Sequence, residues 1–153
     1  MTFELFFIRD ICVEMIKVQI TKQSNYPVGV ANIKKKLAAF LAKQGIVSSS
    51  EVSVAIVGEK KMMELGQKYL KDKKLHNVLS FTPTEVNPHT KNFGEGVKNF
   101  VYPPDGLIHL GEIIVCFPVA AKEANNENVL INTKVYELVE HGALHLMGIH
   151  HKE

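Results

Sequence analysis

Cysteine is scarce in this chain: Cys12 and Cys116 are the only two, far apart and in no metal-ligand spacing. That excludes a disulfide framework, and it suits a reducing cytoplasm. Each is read as a small buried apolar residue. Long apolar runs are missing too, since no stretch approaches the roughly 18 residues of a membrane span. The opening MTFELFFIRDICVEM lacks a positively charged start, and Arg9-Asp10 interrupts its short apolar stretch. It is therefore not read as a signal peptide, and a cytoplasmic protein with no membrane partner is expected. Charge of one sign is also lacking. A net charge of +2 and a pI near 8.5 permit a nucleic-acid partner without arguing for one. Internal repeats and low-complexity tracts are absent.

What remains is an ordinary globular composition, 46% apolar and 22% charged over 153 residues, enough for one domain with a proper core. The strand-like pattern starts at Ile16, so residues 16–153 are expected to form the domain. Residues 1–15 are expected to be an N-terminal extension, with Met15 as a second candidate start.

Segment 16–23 alternates Ile16, Val18 and Ile20 with Lys17, Gln19 and Thr21, the period of a half-buried strand. Ile33, Leu37, Phe40 and Leu41 follow at helical spacing, with Gly45 as the stop. Segments 51–58, 77–82 and 107–116 read as further strands. Segment 59–70 reads as a helix carrying Met62, Leu65 and Tyr69, and 118–126 reads as another. A last helix is expected over 133–147, with Asn132 as its cap. Residues 83–106 form a long loop without periodicity, punctuated by Pro83, Pro88, Pro103 and Pro104. The third and fourth strands have no helix between them. A mixed four-stranded sheet packed with helices, in an α+β fold, is therefore expected rather than a parallel doubly wound one.

Four of the seven histidines fall in the last thirteen residues. His141 and His145 are four apart on the final helix, beside an apolar stripe of Val135, Leu138, Val139, Gly142 and Leu146. Residues at that spacing differ in direction by about 40°, so both imidazoles project from one face, the two-ligand platform common for zinc. Gly148 is placed to turn the chain back, and His151 then offers a third nitrogen with one position left open. The partial negative charge of the helix C-terminus adds to the site. Zinc proteases of the HExxH type carry a glutamate after the first histidine. Here that position is Gly142, and Glu140, before it, is expected to be solvated.

These residues match a known pattern. HGALHLMGIHH (141–151) resembles the HGxLHLxGxDH signature of the YbeY family, bacterial rRNA maturation factors described as zinc-dependent single-strand endoribonucleases. YLKDKKLHNVLSF (69–81) resembles that family's YRxKxxPTDVLSF segment, and LGEIIVC (110–116) is similar to its LGDIxIC strand. The resemblance implies a zincin-like fold with the metal site on the C-terminal helix and the turn after it. It also implies one Zn2+ held by His141, His145 and His151, and single-stranded RNA, rRNA or a ribosomal subunit as partner. DNA is not expected. Two departures stand out. His150 replaces the aspartate before the third histidine, which leaves His150 or His151 as third ligand, and spacing favours His151. Leu70 replaces an arginine thought to contact phosphate, and leucine cannot donate to one.

Lys71, Lys73 and Lys74, with Lys68 nearby, are the candidate RNA-backbone contacts; a solvated lysine-rich loop reads as well from the sequence. Glu112 reads first as a strand carboxylate facing water, and second as a base or as a partner of a ligand histidine. Phe100 and Tyr102 are candidates for stacking on bases. No catalytic residue is assigned. Two rival functions stay open: a non-enzymatic ribosome-associated RNA-binding factor with a structural zinc, and a metal-dependent hydrolase of another substrate.

Overall fold

The computed structural model describes residues 15–46, 48–83 and 107–148. β1 (Ile16–Lys22) buries Ile16 and Val18 and exposes Lys17 and Gln19, as the alternation predicts. α1 (Val30–Lys43) buries Ile33, Leu37, Ala38 and Leu41. It ends where Gly45 turns left-handed at φ +101°, with the Gly45 and Ile46 N–H groups returning to Ala42 and Leu41 carbonyls. β2 (Ser50–Val57) leads into α2 (Glu59–Leu65). The α-helix expected to reach residue 70 instead widens into a π turn, Gly66–Leu70, and stops at left-handed Lys71. The widening coincides with the loop 72–76 packing onto Gly66, where a Cβ would lie 3.2 Å from His76 Cδ2. Tyr69 in that turn meets Phe81, ring centroids 4.8 Å apart.

β3 (Val78–Phe81) and β4 (Ile108–Cys116) precede α3 (Phe117–Glu127), which has Pro118 in its first turn, and α4 (Ile131–Leu146). Asn132 does not cap α4. The helix starts one residue earlier than Asn132, with Leu130 at the cap position, and the Asn132 Oδ1 instead accepts the Gly29 N–H at the start of α1, at 2.9 Å. The side chain thus satisfies an orphan donor on the neighbouring helix rather than on its own.

The sheet order is β1-β2-β4-β3. β1 and β4 flank β2 in parallel, and β3 joins β4 antiparallel, so the expected mixed sheet is what forms. One face carries Val18, Val52, Val54, Ile113 and Val115 against the apolar stripes of α1 and α4. The other carries Val57, Leu79, Phe81, Ile114 and Cys116 against Met62 of α2. Cys116 is fully buried and desolvation pushes its thiol pKa up, in keeping with a packing role. Among the described residues no helix is long and apolar enough to cross a membrane.

Two glycines set how closely these layers approach. Gly111 sits at φ +139° beside a register irregularity between β2 and β4, and a Cβ there would run into the Phe81 carbonyl oxygen. Gly142 rests on β4, where a Cβ would lie 2.7 Å from Ile113 Cγ2. α3 and α4 are tied at Lys134, whose buried ammonium meets Glu127 at 2.7 Å, Glu137 at 3.5 Å and Glu123 at 3.7 Å. The hydrogen bond to Glu127 raises the Lys134 pKa above its usual 10.5, against the opposing effect of burial.

Gly142→Ala is expected to cost about 1–3 kcal/mol in urea unfolding, because the helix must lift off Ile113. For Lys134 the folded pKa is the raised one, so its stabilisation is complete below pH 10.5 and is lost as pH rises through the folded value. Urea midpoints taken from pH 8 upward should therefore fall more steeply for the wild type than for Lys134→Met.

Candidate active site

α4 turns its buried stripe of Val135, Leu138, Val139, Gly142 and Ala143 to the sheet. Along its flank toward β3 come Lys134, Glu137, His141 and Leu144, which follow one another at the spacing of a single helix face. With Asn77 and Val78 at the start of β3 they line an open cavity of about 710 Å³. His141 is half-buried and His145 exposed. Their ring centroids lie 4.9 Å apart with the planes at 62°.

That separation suits a shared ion. Two imidazoles bound near the tetrahedral angle, each nitrogen about 2.1 Å from one zinc, hold their centroids on the order of 5 Å apart. Among the described residues no third His, Cys, Asp or Glu completes a metal-binding group with the pair. The chain does turn where the sequence predicts, since Gly148 adopts φ +75° and its N–H returns to the His145 carbonyl at 3.0 Å. His150 and His151 lie outside the described residues, as do Phe100 and Tyr102 and all of the loop 83–106 beyond Pro83.

The other expected residues fall as follows. Lys71, Lys73 and Lys74 are exposed on the loop that runs directly into Asn77, and so into the wall of the His141 cavity. Leu70 ends the π turn 47% exposed, a position with room for a longer polar side chain. Glu112 is exposed and pairs in register with Ser53 and Phe81. It shares the face of Ile114 and Cys116, so the sheet separates it from α4, and it is not a partner of His141 or His145. Glu140, expected to be solvated, is half-buried and lines the cavity beside Tyr136. Burial, reinforced by the Glu140 carboxylate, pushes the Tyr136 pKa up to about 12.

Three arrangements escaped the sequence reading. Asp72 and His76 pair at 2.9 Å, and the His76 hydrogen bond holds the Asp72 carboxyl below its usual range. Their spacing of four residues was the available signal, but it lies in a loop where no helix gives it meaning. Asn77 Nδ2 donates to Glu123 at 3.0 Å, and Glu123 in turn faces Lys134. The Asn77–Glu123 contact crosses 46 residues between the start of β3 and α3, and no local pattern announces it.

Comparison with known proteins adds the lineage. A family model described as Endoribonuclease YbeY matches residues 12–153. A curated protein named Endoribonuclease YbeY from Dehalococcoides mccartyi (strain BAV1) is 35% identical over 121 residues, 79% of this chain and 74% of its own. One of the same name from Moorella thermoacetica is 29% identical over 133 residues, 85% of this chain and 80% of its own. The solution structure of a Thermotoga maritima protein superposes with a TM-score of 0.53 at 25% identity, covering 88% of this chain and 75% of that one. These relatives match most of the chain, which belongs to the YbeY endoribonuclease family.

Proposed function

We propose that this chain is a zinc-dependent, single-strand-specific endoribonuclease that acts on rRNA in the cytoplasm, in ribosomal RNA maturation and ribosome quality control. The observation that carries the reading is the His141–His145 pair, with ring centroids 4.9 Å apart and His141 on the wall of an open groove. Membership of the endoribonuclease family supports RNA as the substrate class. On this reading the fold is zincin-like, with the metal site on α4 and the turn after it, and His151 supplies the third nitrogen. When bound, zinc supplies Lewis acidity, which polarises a phosphoryl oxygen and brings the ionisation of water near neutral pH.

The chain's own residues then divide the remaining work. Lys71, Lys73 and Lys74, exposed where the loop enters the groove, hold the RNA backbone. Asn77 is oriented by Glu123, so its carboxamide oxygen is turned away from that carboxylate. Peptide cleavage of the HExxH kind is disfavoured for a steric reason. A Cβ at position 142 would lie 2.7 Å from Ile113 Cγ2, so a glutamate after the first histidine would have to push the helix off the sheet. One observation favours the alternative of a ribosome-associated RNA-binding factor with a structural zinc: Leu70 takes the place of the phosphate-contacting arginine.

Zinc-loaded protein is expected to cleave a single-stranded rRNA fragment, while His145→Ala, folded by circular dichroism, does not. No cleavage by folded, zinc-bound wild type would leave the RNA-binding factor in front. Leu70→Arg is expected to lower KM for the fragment by roughly tenfold, the worth of one charge-assisted contact. An unchanged KM would remove position 70 from the substrate path.

A further inference from the structure

Among the described residues β3 is the outer strand of the sheet, and its free edge borders the groove that holds His141. Its ladder with β4 decides which of its backbone groups remain for other partners. The Cys116 N–H donates to the Asn77 carbonyl at 2.9 Å, so these two form a hydrogen-bonded pair. By the alternation of antiparallel strands, Leu79 with Ile114 and Phe81 with Glu112 are the next such pairs. Val78 and Ser80, opposite Val115 and Ile113, are the intervening positions, and their N–H and C=O groups point outward. No described residue hydrogen-bonds to them.

Two contacts place that edge beside the histidines. Val78 and His141 line the same cavity. Gly142, between the histidines, rests on Ile113, and Ser80 is the residue opposite Ile113 one strand spacing away, about 4.8 Å. The helix wall of the groove is acidic, with Glu137 and Glu140 exposed or half-buried, while Lys134 is already matched to three carboxylates. Such a wall repels phosphates and accepts hydrogen bonds from base amino and imino groups. The exposed lysines at 71, 73 and 74 precede β3, outside this wall.

Resting on the endoribonuclease reading above, we propose that the free edge of β3, through the N–H and C=O groups of Val78 and Ser80, holds the bases of single-stranded RNA beside His141 and His145. The strand lies with its bases against the edge and the phosphate to be cleaved at the histidine pair, while the flanking phosphates turn outward toward Lys71, Lys73 and Lys74. Each outward residue offers one donor and one acceptor, the complement of the hydrogen-bonding edge of an unpaired base. In a duplex those base edges are consumed by pairing, so this contact restricts the site to single strands.

Amide hydrogen exchange of the zinc-loaded protein tests the proposal, with a 2′-O-methyl, phosphorothioate-linked hexanucleotide as the probe, alone and annealed to its complement. The Val78 and Ser80 amides are expected to exchange at least ~10-fold more slowly with the single strand and to stay unchanged with the duplex, while the Leu79 and Phe81 amides keep their ladder protection in both. Ser80→Pro removes an outward N–H without taking a donor from the ladder, and Ser80→Ala keeps it. KM for a single-stranded substrate should rise ~10-fold in Ser80→Pro and stay near the wild-type value in Ser80→Ala. If Ser80→Pro fails to fold, the exchange measurement on the wild type decides. Cleavage and binding with Val78 and Ser80 exchange unaltered would overturn the edge contact and leave the endoribonuclease reading standing. A hexanucleotide that does not bind, together with rRNA that is not cleaved, would overturn both.

Discussion

At Gly142 the last helix lies so close to β4 that a single methyl group would stand 2.7 Å from Ile113, and the geometry of the candidate site depends on that contact. It fixes the height of α4 above the sheet. It also fixes the helix rotation, because the stripe through Val135, Leu138, Val139 and Ala143 must face the same way. With the rotation set, His141 and His145 have one direction left, along the flank beside β3. The Lys134 ion cluster then ties α4 to α3, and the Asn77–Glu123 bond ties the start of β3 to α3. Both walls of the groove are thereby referred to one helix. Close packing of this kind transmits small displacements, so the direction in which the two imidazoles project is set by the core rather than by the surface.

The same contact bears on the chemistry. A helix carrying two histidines four residues apart suits several hydrolases, and the residue after the first histidine distinguishes them. Here that residue is spent on packing, which removes the place of a peptide-cleaving general base. The carboxylates that remain near the groove, Glu137 and Glu140, lie on its helix wall, and Glu112 lies beyond the sheet. Among the described residues that acidic wall stands opposite an unpaired strand edge, an arrangement that suits ligands bringing donors and acceptors. The lysines stand apart from it, on the loop leading in.

Much of this was legible from local pattern. The strand alternation at Ile16 and Val18, the stripe on α1 and the glycine after α4 are short-range signals, and each element formed where they pointed. The mixed sheet followed from two strands without a helix between them. The histidine pair was visible because a helix converts spacing of four into a shared face. What failed was non-local. Asn132 reads as a cap, yet serves a donor 103 residues away on α1. The π turn at Gly66–Leu70 follows a loop that folds back onto Gly66, and the sequence window over 59–70 contains none of that loop. Glu112 had two readings until the register with Ser53 and Phe81 assigned its face. The ion cluster at Lys134 joins helices whose pairing no periodicity specifies.

The central claim is that His141 and His145, completed by His151, hold one zinc ion by imidazole nitrogen. X-ray absorption at the zinc edge, on protein loaded with one equivalent, reads the ligand atoms directly. The account predicts three imidazole nitrogens near 2.0–2.1 Å and one water oxygen, with an imidazole lost in His145→Ala. Sub-stoichiometric zinc, sulfur ligation, or a spectrum unchanged in His145→Ala would contradict it.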